Sequence, residues 1–356
     1  MTAAEILKDL VAINTIRDKE NKKIMDYIET FLMPYGFKID RRKNKENGNE
    51  VIVAEIGENP AMGFLGHTDT VDIAAGWETN PFELTEKDGM LYGLGACDMK
   101  GGIAASLWAV SQMDPEKLQK GIKLYYTYDE EIMFGGIRDL VDGEEKFPEH
   151  VIIAEPSDLA PMVGSKGLLE FIFTFKGVST HSSAPLKGKN SNKNAVKFLN
   201  KMLALEDELA ESRYDGFEYP STSMNVGIIE GGKAMNTVPN ETKVYLDFRI
   251  CDSEKEYEKI RKYVDDAIAE FDAEYEIIND IPSFYNESET VKFYEQETGN
   301  ERRTMCGISE ASFFKGDRVI IGPGPETAHQ ANECISAESL QQTAELYVKA
   351  IEKLCY

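Results

Sequence analysis

The chain has 356 residues, 42% of them hydrophobic, enough for one large domain or two medium ones with separate cores; two is the better expectation. Against 39 Lys and Arg stand 63 Asp and Glu, a formal net charge of −24. That surface repels phosphate backbones and anionic lipid heads, so neither a nucleic acid nor a membrane is an expected partner.

From Ala3 to Tyr35 the apolar residues recur at helical spacing (Ile6, Leu10, Ile13, then Ile24, Tyr27, Ile28, Phe31, Leu32), with a break near Asn14 to Asp18, which predicts two amphipathic helices. Glu5, Lys8 and Asp9 interrupt the first of them, so it has no signal-peptide core, and no apolar run reaches transmembrane length. The cytoplasm is the expected compartment. The next apolar runs, NEVIVAEIG, AMGFLGHTD, IKLYYTYDEE and HVIIAEPS, read as strands separated by helix-like stretches such as Gly102 to Met113 and Phe134 to Val141. This is the rhythm of an α/β domain with a mainly parallel sheet. The last three runs end in acidic or histidine residues, and ligand sites assemble at the carboxyl ends of such strands.

After Pro161 the pattern changes to LLEFIFTFKG, a helix from about Asn194 to Glu211, the strands STSMNVGIIEGG and TKVYLDFRI, a charged helix from about Ser253 to Phe271, and EYEIIND. That order is the split βαβ, ferredoxin-like arrangement of an α+β domain. The remainder resumes the first pattern with a helix, the strand RVIIGPG and a last helix from Ala337 to Leu354. The expected boundaries are therefore 1–164 and 283–356 for a catalytic domain and 165–282 for a smaller one inserted in it. Five cysteines (Cys97, Cys251, Cys306, Cys334, Cys355), with no C-x-x-C pair among them, argue against a disulfide framework or a zinc ribbon.

His67 and Asp69, two apart in G-H-T-D-T-V, project to one side of a strand end, where a carboxylate can orient a metal-binding imidazole. Asp98 follows in G-L-G-A-C-D-M-K-G-G, Glu130 and Glu131 end T-Y-D-E-E, and Glu155 ends I-I-A-E-P-S. A single acid after a strand is usually a cap or a solvated turn residue. In a chain with only four histidines the conjunction is harder to dismiss, and its N/O donor set suits zinc, or cobalt or manganese in its place.

H-T-D-T-V, G-A-x-D-M-K-G-G, D-E-E, E-P-S and a late H-x-x-N-E, in that order over essentially the full chain, resemble the M20 family of metallopeptidases and deacylases. The resemblance implies a zinc-peptidase-like catalytic domain, a lid and dimerisation role for the inserted domain, and two divalent metal ions. Asp98 would bridge them, with His67 and Glu155 on one ion and Glu131 and His329 on the other. Glu130 would serve as general base, with Asp69 beside His67. In V-S-T-H-S-S-A-P, G-G-K-A-M-N-T-V-P and Y-L-D-F-R, the resemblance makes His181 an oxyanion donor to the neighbouring subunit of a homodimer, and Asn236 and Arg249 partners of the substrate carboxylate or oxyanion.

Within the family, H-S-S-x-P, N-V-G-I-I-E-G-G-x-A-x-N and the G-P-G before the late histidine look most similar to acetylornithine deacetylases. Succinyl-diaminopimelate desuccinylases come next, then dipeptidases and other N-acyl-amino-acid hydrolases. K-G-K-N-S-N-K-N-A after His181 reads as an insertion, and C-G-I-S-E-A replaces a G-T-E-A or G-T-D-A pattern. The expected substrate is a small N-acyl amino acid or a dipeptide; a catalytically silent amino-acid-binding scaffold is the reading from another class. Three features get plainer readings: G-P-G-P-E (322 to 326) lacks the Lys-Ser/Thr of a phosphate loop, Cys97 is a small buried side chain, and His150 in F-P-E-H-V is a surface residue.

Overall fold

The computed structural model describes residues 1–16, 20–305 and 307–356. Asp18, at the end of the expected helix break, and Cys306, which opens C-G-I-S-E-A, lie outside them. The chain divides into a unit formed by Met1–Val163, Asn286–Arg303 and Ser309–Tyr356, and a second formed by Gly164–Tyr285 with Thr304–Ile308.

In the first unit six strands lie side by side in the order Lys38–Lys43, Glu50–Ile56, Ile122–Thr127, Met62–His67, His150–Ile153 and Asp317–Ile320. The last four are mutually parallel and the first two antiparallel. Every residue of Met62–His67 is buried, as expected for a parallel strand covered on both faces. Helices Ala3–Val11, Lys100–Gln112 and Ala337–Cys355 pack on one another, and the last two reach this strand. The first is capped by Thr2, whose hydroxyl accepts the Glu5 amide while Glu5 returns a bond to the Thr2 amide.

The register sets the chemistry. His67 pairs with Thr127, and Leu65 with Ile153, so the chain leaves neighbouring strands at nearly one level, just before Glu130, Glu131 and Glu155. Helix Lys100–Gln112 is clamped to the same edge because Gly102 has no side chain: a Cβ there would lie 1.8 Å from the Ala154 carbonyl oxygen. Asp98, just ahead of that helix, is thereby fixed beside the segment that carries Glu155.

The second unit forms an antiparallel sheet in the order Ser223–Gly231, Glu241–Ile250, Gly167–Lys176, Ala273–Ile281. Helices Ser191–Ala210 and Ser253–Ile268 pack on it, giving the split βαβ fold. Phe171, Phe173 and Phe175 alternate along one strand and meet Phe198 and Phe248 in a common core.

Several expectations change. Lys38–Lys43 is an edge strand that its charged sequence concealed. Met90–Tyr92 pairs with Thr85–Lys87 and Cys334–Ser336 in a small sheet of its own. Part of K-G-K-N-S-N-K-N-A is an ordinary helix start, since the Asn190 side chain accepts the Lys193 amide and the helix begins at Ser191. His150 is not a surface residue. It opens a strand at 3% exposure, with Nδ1 3.0 Å from Asp317 Oδ2 and Nε2 2.8 Å from the Tyr294 hydroxyl; the strand draws inward a polar residue that directly follows the exposed Glu149. No helix among the described residues is long and apolar enough to cross a membrane.

Candidate metal centre

The first unit gathers His67, Asp69, Asp98, Glu130, Glu131, Glu155 and His329 from five segments of the chain. His67 is fully buried at its strand end. Its Nδ1 lies 3.1 Å from the Asp69 carbonyl oxygen and donates to it, which turns Nε2 toward the acids, 3.0 Å from Asp98 Oδ1 and 3.7 Å from Glu155 Oε1. Asp98 offers its other oxygen elsewhere: Oδ2 is 3.4 Å from His329 Nε2, which in turn lies 3.0 Å from Glu131 Oε2. Each oxygen of one carboxylate thus faces a different imidazole. His329 takes a left-handed backbone conformation, φ 62°, in the turn that presents it.

Asp69 serves two neighbours. Its carbonyl oxygen and a carboxylate oxygen lie 3.1 and 3.4 Å from His67 Nδ1, and the carboxylate oxygens also accept the amides of Glu130 and Glu131 at 3.3 and 3.2 Å. One side chain therefore shapes the turn from which both glutamates project.

The electrostatics are those of a site built for cations. The donor atoms of His67, Asp98 and Glu131 lie within 4.8 Å of one another, as do those of His67, Glu130 and Glu155. Burial and then the charge of Asp98 push Glu155 up to about 7. Burial, then Glu155, Asp98 and Glu131, hold Glu130 well above the usual carboxylate range. Burial disfavours a charged His67, yet Glu155, Asp69 and Asp98 overcome it and raise its pKa. Hydrogen bonds to Asp98 and Glu131 lift His329 to about 10. Glu131 Oε1 is buried with no hydrogen-bond partner among the described residues. An orphaned carboxylate oxygen amid mutually repelling acids, with imidazole nitrogens turned inward, fits divalent cations of the zinc, cobalt or manganese kind.

Residues that sequence reasoning passed over also converge here. Glu310 is completely buried, its carboxyl oxygens make no hydrogen bond of normal geometry among the described residues, and burial pushes it up to about 8, against a lowering influence from Thr127. Glu333 accepts the amides of Gly95, Cys97 and Asp98. The signal for Glu333 was in H-x-x-N-E; for Glu310 only the altered C-G-I-S-E-A stretch drew notice.

His181, Asn236 and Arg249 belong to the second unit. His181 and Thr237 form an antiparallel bridge, and the Ser182 amide donates to the Asn236 carbonyl at 2.9 Å, so the histidine and asparagine turns are stitched together. His181 Nδ1 lies 2.7 Å from the Ser183 hydroxyl and accepts the Ser183 amide at 3.2 Å, an arrangement that favours the tautomer with its proton on Nε2 of an exposed ring. Arg249 is held by Asp247 through Nε at 2.9 Å and Nη2 at 3.0 Å, and lines a cavity of 340 Å³ with the buried Lys166 and the rings of Phe217 and Tyr219. Lys166 is a further cation that no motif had marked.

Residues 63–353 match the family model described as peptidase family M20/M25/M40. The chain is 31% identical to an acetylornithine deacetylase of Pasteurella multocida (strain Pm70), over 95% of this chain and 92% of that protein, and 30% identical to one of Myxococcus xanthus, over 98% and 96%. Its fold is similar to that of aminopeptidase PepT from Bacillus cereus ATCC 10987, with a TM-score of 0.80 at 21% identity over 99% of this chain and 98% of that one. With its match to the family spanning most of its length and its acid and imidazole donors assembled at one sheet edge, the chain belongs to peptidase family M20/M25/M40 and is a metal-dependent hydrolase.

Proposed function

We propose that the chain hydrolyses the amide bond of a small N-acyl amino acid, N-acetylornithine first among them, at a centre of two divalent metal ions. The observation that supports this most directly is Asp98, whose oxygens face His67 at 3.0 Å and His329 at 3.4 Å, as a carboxylate shared between two cation positions would. His67 and Glu155 would complete one position, and Glu131 and His329 the other. When bound, such ions supply Lewis acidity toward the scissile carbonyl and lower the pKa of the attacking water. Zinc is the leading identity, with cobalt or manganese suited to the same donors.

The protein's own groups do the rest. Glu130 stands among the donors and, in this reading, takes the proton of the attacking water and delivers it to the leaving amine. Asp69 fixes the turn that places Glu130 and Glu131. His181, with its Nε2 proton free, and Asn236 supply donors to the oxyanion, and Arg249 binds the substrate carboxylate. We assign the second unit the part of lid and dimerisation domain in a cytoplasmic homodimer, a state that light scattering tests directly.

The choice of N-acetylornithine rests on the names of the relatives at 30 and 31% identity. Purified protein should be assayed with N-acetylornithine, N-succinyl-diaminopimelate and dipeptides, with zinc or cobalt added. A kcat/KM at least tenfold higher for N-acetylornithine is the expected result. A preference for the succinyl or dipeptide substrate would reassign the specificity, and no hydrolysis of any amide would favour a silent binding scaffold.

A further inference from the structure

Glu333 is 2% exposed, and its carboxylate gathers three backbone donors: Oε2 accepts the Gly95 amide at 2.8 Å, and Oε1 accepts the amides of Cys97 at 2.8 Å and Asp98 at 2.9 Å. The Gly93 amide donates to the Glu333 carbonyl oxygen at 3.0 Å, so side chain and main chain grip the same loop. Four residues earlier stands His329. The intervening Asn332 is anchored as well, its side chain accepting the Glu78 amide at 2.7 Å and donating to the Gly76 carbonyl at 3.3 Å.

We infer that Glu333 is a positioning residue that locks the Asp98 loop to the His329 loop and so sets the separation of two donors to one metal ion. The inference rests on the two-metal reading of the centre. Its physical basis is the stiffness of a carboxylate bonded to several amides. Three backbone amides bonded to one carboxylate restrain the backbone on which the Asp98 side chain is mounted. Partners behind metal ligands orient those ligands, and losing one typically costs about 10–100-fold in metal affinity.

Glu333→Gln isolates the effect because it keeps the shape. With its amide oxygen in place of Oε1 it retains the bonds from Cys97 and Asp98 but turns an NH₂ against the Gly95 amide; the flipped rotamer keeps Gly95 and loses the other two. Chelator-treated wild type, Glu333→Gln and Asp98→Asn should be titrated with cobalt(II), following heat of binding and the visible d–d absorption, with a circular dichroism melt of each metal-free protein as the folding control. We expect Asp98→Asn to lose cobalt binding. Glu333→Gln should bind about 10–100-fold more weakly with a shifted d–d band, and with kcat lowered while KM is little changed. If Asp98→Asn loses cobalt but Glu333→Gln matches wild type in affinity and spectrum, the positioning role is wrong and the two-metal reading survives. If Asp98→Asn binds cobalt as wild type does, the reading of the centre falls and this inference with it. Hydrogen exchange of segment 94–99 in wild-type, metal-free protein needs no variant: slow exchange supports the lock, and exchange at the rate of an open loop overturns it.

Discussion

The acidic centre of the first unit and the His181, Asn236 and Arg249 group of the second are held by opposite means. In the centre the acids and His67 are largely buried while His329 is half exposed, and single acids carry more than one constraint: Asp98 faces two imidazoles with its carboxylate while its amide is held by Glu333, and Asp69 bonds two amides at once. In the second unit the groups are exposed or half exposed; His181 and Arg249 are each steadied by a neighbour two residues away, Ser183 and Asp247, and Asn236 by the Ser182 amide on its carbonyl. A cluster of buried like charges must be fixed by its surroundings before an ion arrives, or the acids would separate. In the proposed function the second group meets a substrate that comes and goes, and donors of that kind need only a correct tautomer and a free face.

The contrast is broken most severely at Glu130. Glu130→Gln should lower kcat by about 10²–10⁴-fold while metal content, measured by atomic absorption, stays at the wild-type value. Retained turnover would remove its role as base. Arg249→Met comes next: loss of a charge-assisted bond to a substrate carboxylate, about 1.5–3 kcal/mol, should raise KM about 10–100-fold with a smaller change in kcat. An unchanged KM would place the carboxylate elsewhere, with Lys166 the next group to examine.

Glu310 tests what burial costs within the centre. Its pKa is raised from 4.5 to about 8 by burial, so between those values the unfolded chain releases a proton that the folded one keeps, and stability falls as pH rises through that window. Glu310→Gln removes this penalty. In chelator-treated protein the variant should melt no lower than wild type at pH 5 and higher at pH 8, by a margin worth about 1–3 kcal/mol; a margin independent of pH would show that the carboxyl is not held neutral. The effect that should leave catalysis untouched belongs to the histidine outside both groups. His150→Phe strips Asp317 and Tyr294 of their partner and should cost about 1–3 kcal/mol in denaturant unfolding, with kcat per folded molecule unchanged.

What the sequence disclosed follows from the range of the interactions involved. The donors at strand ends were legible because strand periodicity and a following acid are local signals, and the split βαβ order survives in the succession of apolar runs. His150 was misread because its burial comes from the Asp317 strand, which pairs beside its own from far along the chain. The Lys38–Lys43 strand was missed because it lies at the sheet edge and pairs on one side only, so its nearly continuous run of charged residues looks like a loop. The work of Asp69 was likewise hidden, since its carboxylate bonds amides 61 and 62 residues away. Glu310 and Lys166 are known only by burial, which no short window of sequence reveals.

The grip of Glu333 on the Asp98 amide joins residues 235 positions apart, with the whole second unit made between them. During synthesis the early donors, from His67 to Glu155, therefore emerge long before the turn that carries His329 and Glu333. A nascent chain stopped after the second unit would hold the acids without the clasp, and an ion captured at that stage would have to bind without it. The centre is thus completed only once the Glu333 loop has been made, which ties its maturation to the order in which the chain is synthesised.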